Sequence, residues 1–249
     1  MFKDIIKRIL PLRVINQLIY IRNNYLDGFA TKSYSQEGED VILRRIFERQ
    51  PTGFYVDVGA HHPKRFSNTY FFYKRGWHGI NIDALPGSMQ LFNKYRQKDI
   101  NLEIGIGNKE KELKYFIFNE PALNTFNESL ARIRDGLRNY RIIDTLKIKV
   151  MPLKKILDSY LPEGKEIDFM DVDVEGMDFE VLQSNDWEKY RPTVLVIEIL
   201  PANTIEELTN NPMYIYLREK GYSLFAKLFN SSIFVANEKL DLVRRGKVI

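Results

Sequence analysis

Apolar positions along the chain follow two periods in turn, short runs with strand character and stretches with helical spacing, and the alternation continues almost to the C-terminus. Residues 33–40 supply capping and acidic side chains, after which Val41, Ile42, Leu43, Ile46 and Phe47 recur at helical spacing. Residues 54–59 read as a short buried strand entering a glycine turn, and the aromatic-rich 68–74 as the crossover helix that a parallel strand requires. A second strand is expected at 79–83, a helix opened by proline at 86–95, a third strand at 101–106 and an added strand at 112–118. Residues 119–145, with Leu130, Ile133 and Leu137, predict a helix lying over the functional site. Helices at 152–160, 179–182 and 213–220 then alternate with all-apolar strands at 167–172 and 193–199. The last two strands, 222–228 and 232–236, are separated only by Phe229, Asn230 and Ser231, so they form a hairpin. The expected fold is α/β, a mostly parallel, doubly wound sheet ending in an antiparallel C-terminal hairpin.

The first 32 residues stand apart from this pattern. Phe2, Ile5, Ile6, Ile9 and Leu10 lie at helical spacing with Lys3, Lys7, Arg8 and Arg13 interleaved, and Pro11 interrupts them. The segment lacks the uninterrupted apolar centre and small-residue cleavage site of a secretory signal. Two readings follow for residues 1–32: a helix packed on the domain or on a twin subunit of a homo-oligomer, or a basic amphipathic contact through residues 1–22 with an anionic membrane. Residues 33–249 form the single domain that 249 residues with 44% hydrophobic content can bury.

Composition narrows the chemistry. There is no cysteine, which excludes disulfides, thiolate metal sites and a cysteine nucleophile, and leaves the cytoplasm as the default location, peripheral at the inner membrane face if the first segment anchors. The formal charge of +4 comes from basic residues scattered among acidic ones, so no nucleic-acid partner is expected. Beyond the first twenty-odd residues no apolar run approaches the roughly 18 residues of a membrane span.

Ligands of open α/β sheets bind beyond the carboxyl ends of the strands, and three of the expected strands end in acids or glycine. Asp57, Gly59 and Ala60 form a turn whose glycine lets backbone amides approach a ligand. Asp83 ends the next strand, where a carboxylate can accept both hydroxyls of a ribose. Asp171, Asp173 and Glu175 crowd the end of a third, and like charges this close call for a proton, a metal or a cationic ligand. Structural alternatives stand beside each: Asp57 as an acceptor for loop amides, Asp83 as a cap ahead of Pro86, and Asp173 or Glu175 as helix caps. The chain after Gly59 reads Ala-His-His-Pro-Lys, without the further glycines of a dinucleotide turn. That disfavours a nucleotide-sugar oxidoreductase or epimerase, and Tyr70 and Lys74 stand at the wrong place for the Tyr-x-x-x-Lys pair of such enzymes.

Tyr55-Val56-Asp57-Val58-Gly59-Ala60 together with residues 167–176, Ile-Asp-Phe-Met-Asp-Val-Asp-Val-Glu-Gly, resembles the FkbM family of methyltransferases. Ser35-Gln36-Glu37-Gly38-Glu39-Asp40, Asn81-Ile82-Asp83-Ala84 and Val196-Ile197-Glu198 look like the same family, and the resemblance covers roughly residues 33–236. It implies a Rossmann-like class I methyltransferase fold, S-adenosylmethionine as methyl donor, and a hydroxyl of a sugar or glycan as acceptor. It carries Asp57, Gly59 and Ala60 over as the cofactor turn, Asp83 with Ala84 as the ribose end, and Asp173 and Glu175 as the acids beside the methyl group. The chain departs from the family at His61-His62-Pro63, which replaces an Asn and a second glycine and brings histidines to the site. His61, His62, Asp173, Glu175 and Glu198 are therefore the candidate bases, and no metal is expected. A non-catalytic binding module on the same fold is the remaining alternative.

Overall fold

The computed structural model describes residues 10–202 and 204–241. Two compact units emerge, Met1–Ser33 and Tyr34–Ile249. In the first, Pro11 is the residue preceding a helix, α1 (Leu12–Tyr25), which has no acidic residue. Residues 1–9, where the interleaved apolar and basic positions fall, lie outside the described residues. No helix among the described residues is long and apolar enough to cross a membrane.

The second unit opens with α2 (Glu39–Ile46), followed by β1 (Phe54–Val58), α3 (Tyr70–Lys74), β2 (His78–Asp83), α4 (Met89–Tyr95), β3 (Ile100–Glu103) and β4 (Gly105–Ile106). Then come β5 (Lys111–Phe118), α5 (Glu128–Arg134), β6 (Ile142–Met151), α6 (Leu153–Tyr160), β7 (Phe169–Val172), α7 (Asp178–Gln183) and β8 (Val194–Glu198). The chain closes with α8 (Ile205–Thr209), α9 (Pro212–Glu219), β9 (Tyr222–Lys227) and β10 (Ser231–Ala236). Seven strands make one sheet in the order β3-β2-β1-β7-β8-β10-β9. The first five are parallel, and β10 enters antiparallel between β8 and β9. This is the doubly wound sheet with a terminal hairpin that the alternation predicts.

Alternation along the strands sorts the core into two layers. Phe54, Val56, Val58, Ile80 and Ile82 face one side with Leu153, Ile156 and Val181. Tyr55, Phe169, Val194 and Val196 face the other, with Phe72, Trp77 and Leu43. Both faces are covered, which is why these strands read as unbroken apolar runs.

Three expectations change. The helix at 86–95 starts only at Met89, because Gly87 holds a left-handed φ of +85° that no helix admits. The third strand is broken: β3 stops at Glu103, and Gly105–Ile106 pair in parallel with β6 in a separate three-stranded sheet, β4-β6-β5. Residues 119–145 hold one short helix, α5, capped by the Asn127 side chain, while residues from Ile142 onward belong to β6. Leu146, Ile148 and Val150 in β6 alternate at strand spacing, and their pairing with β5 overrides the weak helical signal before them.

Candidate active site

The sheet order reverses between β1 and β7, and their carboxyl ends lie side by side with Asp57 opposite Asp171. A cleft opens there and runs across the ends of β2, β1, β7 and β8. Asp57, Gly59, Ala60, His61, Asp83, Ala84, Asp171, Asp173, Glu175 and Glu198 all line it. His62 does not; it lines a neighbouring recess with Arg65 and Lys94.

The turn after β1 is held by main-chain bonds, Gly59 and Ala60 each donating an N–H to the Ile82 carbonyl at 2.9 and 3.0 Å. Gly59 has φ +93°, and a Cβ there would lie 1.7 Å from the Asp173 carbonyl oxygen. Only glycine lets β1 and β7 turn this close together. Next along the chain, the His61 N–H donates to Asp83 Oδ2 at 3.2 Å and the Leu85 N–H to Oδ1 at 2.7 Å. Asp83 is thus oriented by two amides and keeps a lone pair on each oxygen, so capping these amides leaves both oxygens able to accept from the cleft. Burial raises its pKa.

Asp57 accepts from Thr69 Oγ1 at 2.8 Å and Asp171 from Asn68 Nδ2 at 2.9 Å. Burial pushes Asp57 up to about 6, and burial together with the charge of Asp57 raises Asp171 well above the ordinary carboxylate range. Beneath Asp57 the fully buried Arg96 donates to Asp99 at 2.8 Å, Tyr55 at 2.7 Å, Thr69 at 3.0 Å and the Pro63 carbonyl at 3.1 Å. This cation ties α4 to the loop that carries the histidines and Asn68.

At the other end of the cleft, Asp173, Glu175 and Glu198 each bring one carboxylate oxygen within 4.8 Å of the others. Such a trio has the geometry to hold a cation, although Arg134 already donates to Glu175 at 2.5 Å. Glu175 sits at φ +56°, a conformation held by that ion pair and by Thr125 Oγ1, which donates to its carbonyl at 2.6 Å. Burial, then the charges of Asp173 and Glu175, push Glu198 up to about 11. Partial withdrawal from water inside the cleft, then the charges of Glu175 and Asp178, raise Asp173 well above its ordinary value. Its side chain reaches solvent in the cleft and its carboxylate makes no hydrogen bond to any described residue.

The histidines differ. His61 has a left-handed φ of +32° and a buried Nε2 without a partner among the described residues, and burial lowers its pKa. His62 uses Nδ1 to accept the Lys64 and Arg65 amides at 3.1 and 2.9 Å, so its remaining proton sits on Nε2.

Several lining residues carry no signal in the sequence. Tyr115 from β5, Phe126, Ile104 and Gly105 form an apolar wall beside Asp83, with the Tyr115 and Phe126 ring centroids 4.5 Å apart. Asn68 and Asn124 also line the cleft from segments remote from the acidic strands, and Arg134 reaches Glu175 from α5. The Ser35–Asp40 motif has a structural part here: Glu37 accepts the Asn230 N–H at 3.0 Å and Glu39 accepts from Ser231 Oγ at 2.8 Å, fastening α2 to the β9–β10 turn at the cleft rim.

A family model described as the methyltransferase FkbM domain matches residues 57–224, from β1 into β9. Neither a curated protein nor a solved structure matches the chain. The match removes the ground for an oxidoreductase. More than half of the chain being covered, including the glycine turn and all the strand-end acids, it belongs to the FkbM methyltransferase family.

Proposed function

We propose that the protein uses S-adenosylmethionine to methylate a hydroxyl of a sugar in a glycan or glycoconjugate. The carrying observation is that Asp83 and Asp173 open onto one cleft from opposite sides of the Gly59 turn. The donor set suits the cofactor. Asp83 has the spare lone pairs to accept a ribose diol, Tyr115, Phe126 and Ile104 offer an apolar slot for a nucleobase, and the acids at Asp57, Asp171 and Asp173 suit a sulfonium and an ammonium. Bound there, the cofactor supplies an electrophilic methyl group that needs no covalent enzyme nucleophile.

The chain's part is to align the acceptor and take its proton. Asp173 is suited to both, because its carboxylate has no competing hydrogen bond and its raised pKa brings it nearer that of a working base. His61, neutral through its lowered pKa, is the second candidate, whereas Glu175 is engaged by Arg134. Gln36, Ser67, Asn68, Asn230 and Ser231 line the same cleft, and such amides and hydroxyls match sugar hydroxyls as donors and acceptors.

Calorimetry with S-adenosylhomocysteine and NAD, followed by transfer of a labelled methyl group to fractionated glycans, tests this reading. Binding of NAD alone would overturn it, and binding of S-adenosylhomocysteine without transfer to any acceptor would favour a non-catalytic module. Asp173→Asn is expected to lower turnover at least about 100-fold and S-adenosylhomocysteine affinity far less, since that ligand lacks the sulfonium charge and its ammonium keeps Asp57 and Asp171. Full turnover in that variant, with loss in His61→Gln, would move the base to His61.

A further inference from the structure

The chain's positive charge is not evenly shared between its two units. Residues 1–33 contain Lys3, Lys7, Arg8, Arg13, Arg22 and Lys32 against only Asp4 and Asp27. Their surplus equals the net +4 of the whole chain, which leaves Tyr34–Ile249 with equal numbers of each sign. The same short segment carries a dense row of exposed apolar side chains. In α1, Leu18, Ile19, Tyr20, Ile21 and Tyr25 are 46–73% exposed, and Leu26 and Phe29 beyond it are 68% and 78% exposed.

Helical spacing gathers Leu12, Ile15, Ile19 and Leu26 on one flank and Val14, Leu18, Ile21 and Tyr25 on the next, Ile15 alone of them being buried, while Arg13, Asn16, Gln17, Asn23 and Asn24 take the opposite side together with the ring of Tyr20. Arg22 falls within the apolar half, but its guanidinium turns back to the Gly28 carbonyl and Asn23, the snorkelling habit of a long basic side chain at an interface. At 14 residues the helix is about 21 Å long, short of a hydrocarbon core of about 30 Å, so it suits a position in the plane of a surface.

We propose that this N-terminal segment docks the protein reversibly on an anionic lipid bilayer, with α1 in the headgroup layer. Charge decides for lipid over a second copy of the chain. Two such segments brought face to face would juxtapose their like surplus charges, whereas an anionic leaflet attracts every one of them. Apolar insertion supplies the short-range part and the basic residues the long-range part, and neither involves the cleft residues.

The test uses the full chain sedimented with phosphatidylglycerol-containing vesicles or with vesicles of phosphatidylcholine alone, alongside light scattering for oligomeric state. The protein is expected to pellet with the anionic vesicles only, and to be released at about 1 M salt, where the Debye length shrinks to about 3 Å. Arg13→Glu with Arg22→Glu should reduce partitioning at least about 30-fold, and Ile19→Asn with Tyr25→Asn should do the same while the thermal transition and S-adenosylhomocysteine binding stay as in the parent. Equal pelleting with neutral lipid, or no pelleting, overturns the proposal. So does a parent dimer that Ile19→Asn with Tyr25→Asn converts to a monomer while anionic vesicles remain unbound, since the face would then belong to a second copy. If either double variant fails to fold, the lipid and salt dependence of the parent still decides.

Discussion

At residue 59 a side chain has no room. A methyl group there would overlap the Asp173 carbonyl, and the φ of +93° is itself unfavourable for any L-residue. Gly59→Ala is expected to lower unfolding free energy by on the order of 3 kcal/mol in urea titration, because the β1 turn must retreat from β7. Asp83 makes a complementary case, since its carboxylate both orients the His61 and Leu85 amides and remains open to the cleft. Asp83→Ala should weaken S-adenosylhomocysteine by roughly 1.5–3 kcal/mol in calorimetry; unchanged affinity would confine Asp83 to its amides. Both residues were legible in the sequence because they stand at strand ends, where function and backbone geometry impose residue types. His62 had equal standing with His61 on sequence grounds. Only the turn that spends its Nδ1 on two amides directs it to the neighbouring recess.

At the scale of elements, strands with both faces covered were easy to read, since burial on two sides demands continuous apolar runs. The small β4-β6-β5 sheet was not. Its strand β6 alternates charged and apolar residues, and what decides its state is pairing with β5, a contact between segments some thirty residues apart. Strand β5, expected at 112–118, supplies Tyr115 to the cleft, but its place at the apolar wall depends on pairing with β6, and that pairing has no local signal. Another connection between elements runs through Arg96, the C-cap of α4, whose guanidinium is fully buried and paired with Asp99. Arg96→Met should cost about 3–5 kcal/mol in urea unfolding, because it leaves the Asp99 carboxylate buried without its cation and loosens the loop through Pro63 and Thr69.

For the molecule as a whole, the cleft acids make folding pH-dependent. Asp57, pushed up to about 6 by burial, keeps in the folded state a proton that the unfolded chain releases near pH 4. The folded state therefore binds more protons through this window, and stability falls as pH rises from about 4 to about 6. Asp57→Asn retains an acceptor for Thr69 and removes the titration. Its stability relative to the parent is expected to improve by about 2–3 kcal/mol across that window, measured by urea unfolding at each pH. A parallel pair of curves would show that Asp57 is ionised throughout. A cationic ligand should oppose the same penalty, so occupancy of the cleft and stability rise together.

Local periodicity was enough to establish the α/β alternation, the terminal hairpin and the acids at strand ends, because each of these is written within a few consecutive residues. It could not say which strand lies beside which. The juxtaposition of Asp57 with Asp171, the gathering of Asp173, Glu175 and Glu198, and the arrival of Arg134, Asn68 and Tyr115 depend on the order β3-β2-β1-β7-β8-β10-β9 and on the small sheet beside it. Contacts between residues a hundred positions apart leave no period in the sequence, and only the packing of finished elements brings such side chains within reach of one another.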